Sequence, residues 1–218
     1  MHLPILSLTI FAAAVYLPAL AMNIARKNST LVLLYIIQSI AVAGALLALS
    51  YDAGAAGLLY AALLTIAVKA VMAPAFLLRL IKRYDARFST ASYLNMPLSL
   101  LALSAVTAFS YSSVFSVIPI FNRSPSTPLL IASIFSVLFL MVNRRGAIAD
   151  IVGVLAFENG VVLLAAFLGV EHSFALEFAI TFDIAVWIAI ASAFLTMMYR
   201  HYGAIETAIL SMTHLTEE

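Results

Sequence analysis

The 218 residues are 65% hydrophobic and 10% charged, with a formal net charge of +1 and no cysteine, and the mean hydropathy is +1.12. Soluble domains hold about 45–50% apolar and about 25% charged residues, so this composition predicts an all-α integral membrane protein without a soluble catalytic domain. Without cysteine there is no disulfide framework, thiolate zinc site or iron–sulfur cluster; no cofactor and no metal are expected, and any electron chemistry belongs to a partner.

Apolar runs of about 17–25 residues read as spanning helices, because a helix rising about 1.5 Å per residue must cross about 30 Å of hydrocarbon. Seven such runs follow one another: Pro4–Asn23, Leu31–Ser50, Gly57–Ile81, Met96–Ile120, Pro128–Val142, Ala147–Gly169 and Leu176–Met198. The fifth is short, and SPSTP just before it supplies N-cap and first-turn residues, so its start falls between Ser124 and Pro128. The first run resembles a signal peptide in its small residues PALAM. It lacks a basic leading segment and is followed at once by Arg26 and Lys27, which fits a retained helix. The connections ARKNST, DAGAAG, KRYDARFSTASYLN, FNRSPSTP, NRRG and VEHSFA are all turn-like.

Lysine and arginine alternate between loops. Arg26, Lys27, Arg79, Lys82, Arg83, Arg87, Arg144, Arg145 and Arg200 fall on one side, whereas the other side has only Arg123, and Lys69 lies inside a helix. By the positive-inside rule the N-terminus is outside and the C-terminus cytoplasmic, in a multi-pass protein of the plasma or inner cell membrane. The bilayer is the expected environment and nucleic acid is not a partner. The basic KRYDAR stretch sets topology, with contact to anionic lipid or a partner as a second role.

Ionisable residues inside these helices need a reason, since a lysine or aspartate at the bilayer centre costs about 2.5–3.5 kcal/mol on insertion scales. Lys69, in TIAVKAVMAPAF, sits at the midpoint of the third helix, too deep for its stem to reach either surface easily. It reads either as a structural lysine paired with a carboxylate or carbonyl, or as a proton-relay residue. Pro74, one turn on, removes a backbone donor and frees the carbonyl near Ala70 for a cation or water. Glu158, in GVLAFENGVVLLAAFLG, is also at mid-depth and reads either as a counter-ion for Lys69 or as a group on a proton path. Asn159 follows it, about 100° around the helix, and so faces a different neighbour or water. Asp183, in AITFDIAVWIAI, is about 10 Å deep in the last helix by its distance from the helix end. Trp187, four residues on, reads as packing. Asp150, near the start of the sixth helix and close to Arg144 and Arg145, reads as an ion pair or a favourable helix N-terminal charge. Gln38 reads as a helix–helix hydrogen bond. The four histidines, His2, His172, His201 and His214, lie at termini or loops with no pair at ligand spacing. No phosphate-binding loop, dinucleotide fingerprint or nucleophile elbow is present, so no catalytic residue is expected.

From NRRGAIADIVGVLAFENGVVLLAAFLG through LEFAITFDIAVWIAIASAFLTMMYRHYG, the last three helices resemble subunit K of complex I and its small homologue in the cation/proton antiporters that are built from several subunits. That family has a basic turn, here Asn143-Arg144-Arg145-Gly146; a glutamate followed by asparagine, here Glu158-Asn159; and a third-helix acid, usually glutamate, here Asp183. Four further N-terminal helices, with a lysine and a following proline in the third, make the whole chain similar to the hydrogenase-4 component E family of group 4 hydrogenase and formate-hydrogenlyase-type complexes. The resemblance divides the chain into a four-helix region, 1–125, and a three-helix K-like region with a short tail, 126–218. It implies a non-catalytic subunit held between antiporter-like and anchor membrane subunits, and indirectly coupled to a cysteine-bearing hydrogenase or other redox module. Glu158, Asp183 and Lys69 would form its proton path, with Asp150, Asn159 and Pro74 as auxiliaries. Two other classes stand beside it. One is a stand-alone small transporter, against which the unbroken helices and the scarcity of polar pocket residues speak; the other is a structural or assembly scaffold whose buried charges only specify packing.

Overall fold

The computed structural model describes residues 5–83, 92–112 and 125–168. Among these residues the regular structure is helical, apart from one isolated bridge between Ser92 and Arg144. The expected seventh helix, with Asp183 and Trp187, lies outside the described residues.

Six helical rods follow in chain order: α1 (Ile5–Ile24), α2 (Asn28–Ala53), α3 (Ala56–Arg83), α4 (Met96–Ser110), α5 (Thr127–Asn143) and α6 (Ala147–Phe167). Four of them, α1 over Leu6–Ile24, α2, α3 and α6, are long and apolar enough to cross a membrane. The other two, α4 and α5, are apolar but shorter, at 15 and 17 residues. The chain is thus an all-α protein whose helices have the length and composition of membrane spans.

Local chemistry sets the boundaries. α2 extends beyond the expected 31–50 in both directions, opening after an extended Lys27 and closing at Gly54, whose φ of 62° is the left-handed conformation that ends helices. α4 starts where Asn95 Oδ1 accepts the Leu98 N–H at 3.1 Å, with Pro97 in the first turn. It ends at Ser110, short of the expected Ile120. α5 begins at Thr127, with Pro128 in its first turn, inside the interval read from the sequence. α3 is one rod in three parts: α-helical over Ala56–Leu64, π-helical over Thr65–Met72 and α-helical again over Ala73–Arg83.

α1 lies between α2 and α5; α6 packs on α5 and α2; α3 runs along α2, and α4 along α5. The two sequence regions therefore meet directly in one bundle, α5 and α6 against α1 and α2. The α5–α6 seam is close because two glycines face it. A methyl on Gly160 would stand 2.8 Å from Ile134 Cγ1, and one on Gly153 would collide with Met141. Small residues at this spacing let two backbones approach, as membrane helix pairs require.

The bundle is apolar outside and stratified inside. α2 turns Leu33, Ile37 and Ile40 outward while burying Tyr35, Gln38 and Ser39. One buried apolar cluster unites Ala19, Leu31, Tyr35, Leu77, Val137, Leu140 and Ala156. A second unites Leu8, Val15, Val42, Leu46, Ala62, Leu130 and Leu163. Between them buried or half-buried polar residues intervene: Gln38 and Ser39 on α2, Thr65 and Lys69 on α3, Ser133 and Ser136 on α5, Glu158 and Asn159 on α6. At this level α1 offers the Val15 backbone carbonyl to the layer, and its half-buried Tyr16 meets Thr107 of α4 instead. This layer positions the site.

Candidate functional site: a buried charge pair in a polar layer

Lys69 is 3% exposed and lies in the π-helical part of α3. The wide register ends where the Ala73 N–H reaches back five residues to the Val68 carbonyl. Pro74 comes next, buried and without an N–H, so the carbonyl of Lys69 or Ala70, in the π or α register respectively, loses its backbone donor there. A π segment takes up an extra residue per closed ring and turns the following side chains relative to a regular helix. Pro74 was the visible signal; the eight-residue π segment it accompanies is the departure from the unbroken helix that the sequence suggests.

Lys69 Nζ lies 2.7 Å from Glu158 Oε1. The lysine side chain is 4% exposed and that of glutamate 15%, so the pair is shielded from the surroundings on most sides. Glu158 is eleven residues into α6, about 16 Å along the helix at about 1.5 Å per residue. The two charges singled out from the sequence inside apolar helices are therefore in direct contact. At this depth the ammonium and carboxylate neutralise each other where neither has bulk water to solvate it.

Asn159 faces elsewhere, as its position around the helix requires. Its Nδ2 donates to Ser39 Oγ on α2 at 2.9 Å, and the residue is fully buried. Tyr35, one turn before Ser39 and also fully buried, has its phenol within interaction range of Ser39 and Glu158. Gln38 is a helix–helix hydrogen bond, with Nε2 donating to the Val15 carbonyl of α1 at 3.2 Å. The same carbonyl accepts the Ser133 hydroxyl at 3.4 Å. Pro18 lies three residues beyond Val15 within α1. A proline there tilts the preceding turn's carbonyls away from the helix axis, which opens Val15 O to two neighbouring helices.

The basic turn is built into the bundle end. Arg144 is buried and its Nη2 donates to the Asn23 carbonyl at 2.9 Å. Burial holds its guanidinium below the usual arginine value. Asn23 Nδ2 donates to Ala19 O and Ser136 O, both at 3.0 Å. Asn143 takes three contacts: its carbonyl accepts the Tyr93 N–H at 2.8 Å, its Oδ1 accepts the Leu94 N–H at 2.9 Å, and its Nδ2 donates to Ser99 Oγ at 3.1 Å. Arg145 lies 4.0 Å over the Tyr93 ring. Asp150 forms no ion pair with Arg144 or Arg145, both of which are engaged elsewhere; it stands half-buried in the first turn of α6, the favourable end of the helix dipole. Eight residues separate it from Glu158, about 12 Å along the helix, so it does not touch the pair.

Sequence reasoning passed over Ser39, Ser133, Ser136, Tyr35 and Asn23, since a lone serine or asparagine in an apolar run carries no periodic signal. Asp183 lies outside the described residues. Among the described residues no three histidine, cysteine, aspartate or glutamate side chains group as metal ligands would. Comparison with protein-family models, curated proteins and solved structures gives no match for this chain.

Proposed function

We propose that this chain is a non-catalytic, multi-pass membrane subunit of an energy-converting, hydrogenase-type respiratory complex related to complex I, with the Lys69–Glu158 pair on its proton-translocation path. On this reading seven helices cross the plasma or inner membrane, with the N-terminus outside. Antiporter-like and anchor membrane subunits flank the chain, and the redox chemistry belongs to a cysteine-bearing partner module. One observation carries the reading: a lysine and a glutamate 2.7 Å apart in a polar layer at the middle of an otherwise apolar bundle.

The chemistry follows from that contact. Transfer of one proton from Nζ to Oε1 converts an ion pair into a neutral amine and acid, and in a low-dielectric layer the two forms differ far less in solvation than they would in water. A charge arriving on a neighbouring subunit then tips the balance, and Glu158 passes its proton on, with Asp183 the expected next acceptor. The resemblance in NRRG, Glu158-Asn159 and Asp183 supplies the direction of this reading.

The closed geometry of the pair also favours a second reading, in which Lys69 and Glu158 only lock α3 to α6. Glu158→Gln separates the two, because glutamine keeps the shape and hydrogen bonding while removing titration. The expected result in inverted vesicles holding the native complex is intact assembly with impaired redox-coupled proton translocation. Unchanged translocation reduces Glu158 to a structural counter-ion.

A further inference from the structure

The mid-bundle layer and the basic end are linked by a series of buried polar groups, some joined by hydrogen bonds and the others neighbours along one helix. Arg144 Nη2 reaches Asn23 O, and Asn23 Nδ2 reaches Ser136 O on α5. Ser133, three residues earlier and on the same face of α5, donates to Val15 O, which also accepts Gln38 Nε2. Ser39 follows Gln38 and accepts Asn159 Nδ2, and Asn159 adjoins Glu158 and its lysine. Tyr35 flanks this line between Ser39 and Glu158.

Four atoms along it lack a hydrogen-bond partner among the described residues: Asn23 Oδ1, Ser136 Oγ, Gln38 Oε1 and Asn159 Oδ1. The four residues are at most 7% exposed. Amide orientation does not remove the deficit. Both partners of the Asn23 amide are carbonyls, and so is that of Gln38; carbonyls accept only, so nitrogen must face them and oxygen is left over. A buried unpaired group costs about 1–3 kcal/mol, and apolar neighbours cannot supply donors. The occupant this line selects must donate hydrogen bonds to three amide oxygens and also exchange them with a hydroxyl. An anion fails the first requirement. Water meets both, and typically takes about two to four such partners when buried.

We propose that the line from Asn23 through Ser136 and Gln38 to Asn159 holds a chain of bound water that connects the basic end of the bundle with the Lys69–Glu158 pair and delivers protons to it from that side. The delivery of protons rests on the reading of the pair as proton-exchanging; the water line does not. An apolar cluster lies on each side of the layer. The line passes the one at the basic end by way of Asn23 and Ser136, whereas none of its four unpaired atoms lies beyond the layer among Leu8, Val42, Leu46, Leu130 and Leu163. Access is one-sided for that reason.

The chain has no cysteine, so a thiol introduced at one position is unique. Ser136→Cys and Gln38→Cys are compared with Val137→Cys, whose parent side chain is fully buried in the apolar cluster next to Ser136. Silver ion, small enough for a water path, is applied to sealed membrane vesicles of either orientation containing the native complex. Thiols left unreacted are then counted with a maleimide after denaturation, on this chain separated from any cysteine-bearing partner. The expected result is that Ser136→Cys and Gln38→Cys are protected several-fold faster than Val137→Cys when silver meets the basic end, and not when it meets the opposite end. Equal rates at the three positions, or equal protection from both sides, overturn the water line. Radiolytic oxidation of the unsubstituted protein gives a readout free of any folding defect: Tyr35, fully buried, is oxidised by radicals formed from adjacent water, and an unmodified Tyr35 overturns the proposal as well. Protected thiols together with full proton translocation in Glu158→Gln keep the water line and remove its role in proton delivery.

Discussion

At the basic end of the bundle Asn143 uses its carbonyl, its side-chain oxygen and its side-chain nitrogen on three neighbours, whereas at mid-bundle Gln38 and Asn159 each use a nitrogen and leave an oxygen over. Both regions are buried and polar. The contrast is in saturation: Asn143 uses both polar atoms of its side chain on neighbours, as a structural clamp does, whereas the central layer pairs its charges while keeping acceptors in reserve, as Asn23 and Ser136 do on the way to it. Buried polar groups that only hold a fold together tend to be fully partnered, because each orphan weakens it. Incomplete pairing beside the two opposite charges is what directs a functional reading to the layer, and full pairing of the Asn143 side chain directs a structural one to its clamp.

The largest expected effect tests the layer. Lys69→Met removes one charge and leaves Glu158 facing a methionine, and breaking a buried pair in this way costs about 3–5 kcal/mol. The thermal midpoint of the detergent-solubilised protein should fall sharply. In Lys69→Met/Glu158→Leu both charges are gone and most of the stability should return, since apolar replacement of a buried pair is often neutral or better. On the proposed function, the restored protein should assemble without supporting proton translocation. A double variant that both assembles and pumps would erase the distinction between the two regions.

Much of this architecture is legible in the chain itself. Five helices fall where apolar runs of spanning length place them, and the fourth starts as expected, because long apolar runs satisfy their backbone groups best within their own helix. Lys69 and Glu158 stand out for the same reason, as costly exceptions in those runs. Their contact is not legible. It depends on α2 lying between α3 and α6, and on the π register that turns Lys69, for which Pro74 gives a hint and no geometry. The serines are silent for another reason. Ser104, Thr107 and Ser110 on α4 return their hydroxyls to their own helix four residues back, the default for such residues in membrane helices. Nothing in the sequence distinguishes them from Ser39 and Ser133, which bond across helices. The basic turn reads as a topology signal, and the burial of Arg144 against an α1 carbonyl becomes visible only once α1 and α5 are side by side.

A smaller effect is expected from Asn143→Ala, which strips partners from the Leu94 N–H and the Ser99 hydroxyl while leaving the backbone bond to Tyr93. Unpaired buried groups of this kind cost about 1–3 kcal/mol in total. The clamp between α5 and the start of α4 should loosen, lowering the thermal midpoint. On the proposed function, proton translocation should stay at the level of the unsubstituted protein. Loss of translocation out of proportion to assembly would place the Asn143 clamp itself within the proton machinery and remove its contrast with the central layer.

The smallest effect separates the two arginines of the turn. Arg145 is exposed and lies over the face of Tyr93, an arrangement worth about 0.5–1 kcal/mol at such a site, whereas Arg144 is buried against the Asn23 carbonyl. Arg145→Gln should therefore shift the thermal midpoint slightly, and Tyr93→Leu should lower it by a similar amount. In the Arg145→Gln/Tyr93→Leu double variant the two losses should not add, because each removes the same contact. Additive losses would mean that Arg145 and Tyr93 act through separate partners. Arg144→Gln, by contrast, removes the charged donor at the foot of the Asn23–Ser136 line. Its effect on stability should exceed that of Arg145→Gln, because a hydrogen bond from a charged group is worth about 1.5–3 kcal/mol against the weaker exposed stacking. Equal effects of the two substitutions would show that burial of Arg144 adds nothing to the clamp, and that the turn serves topology alone.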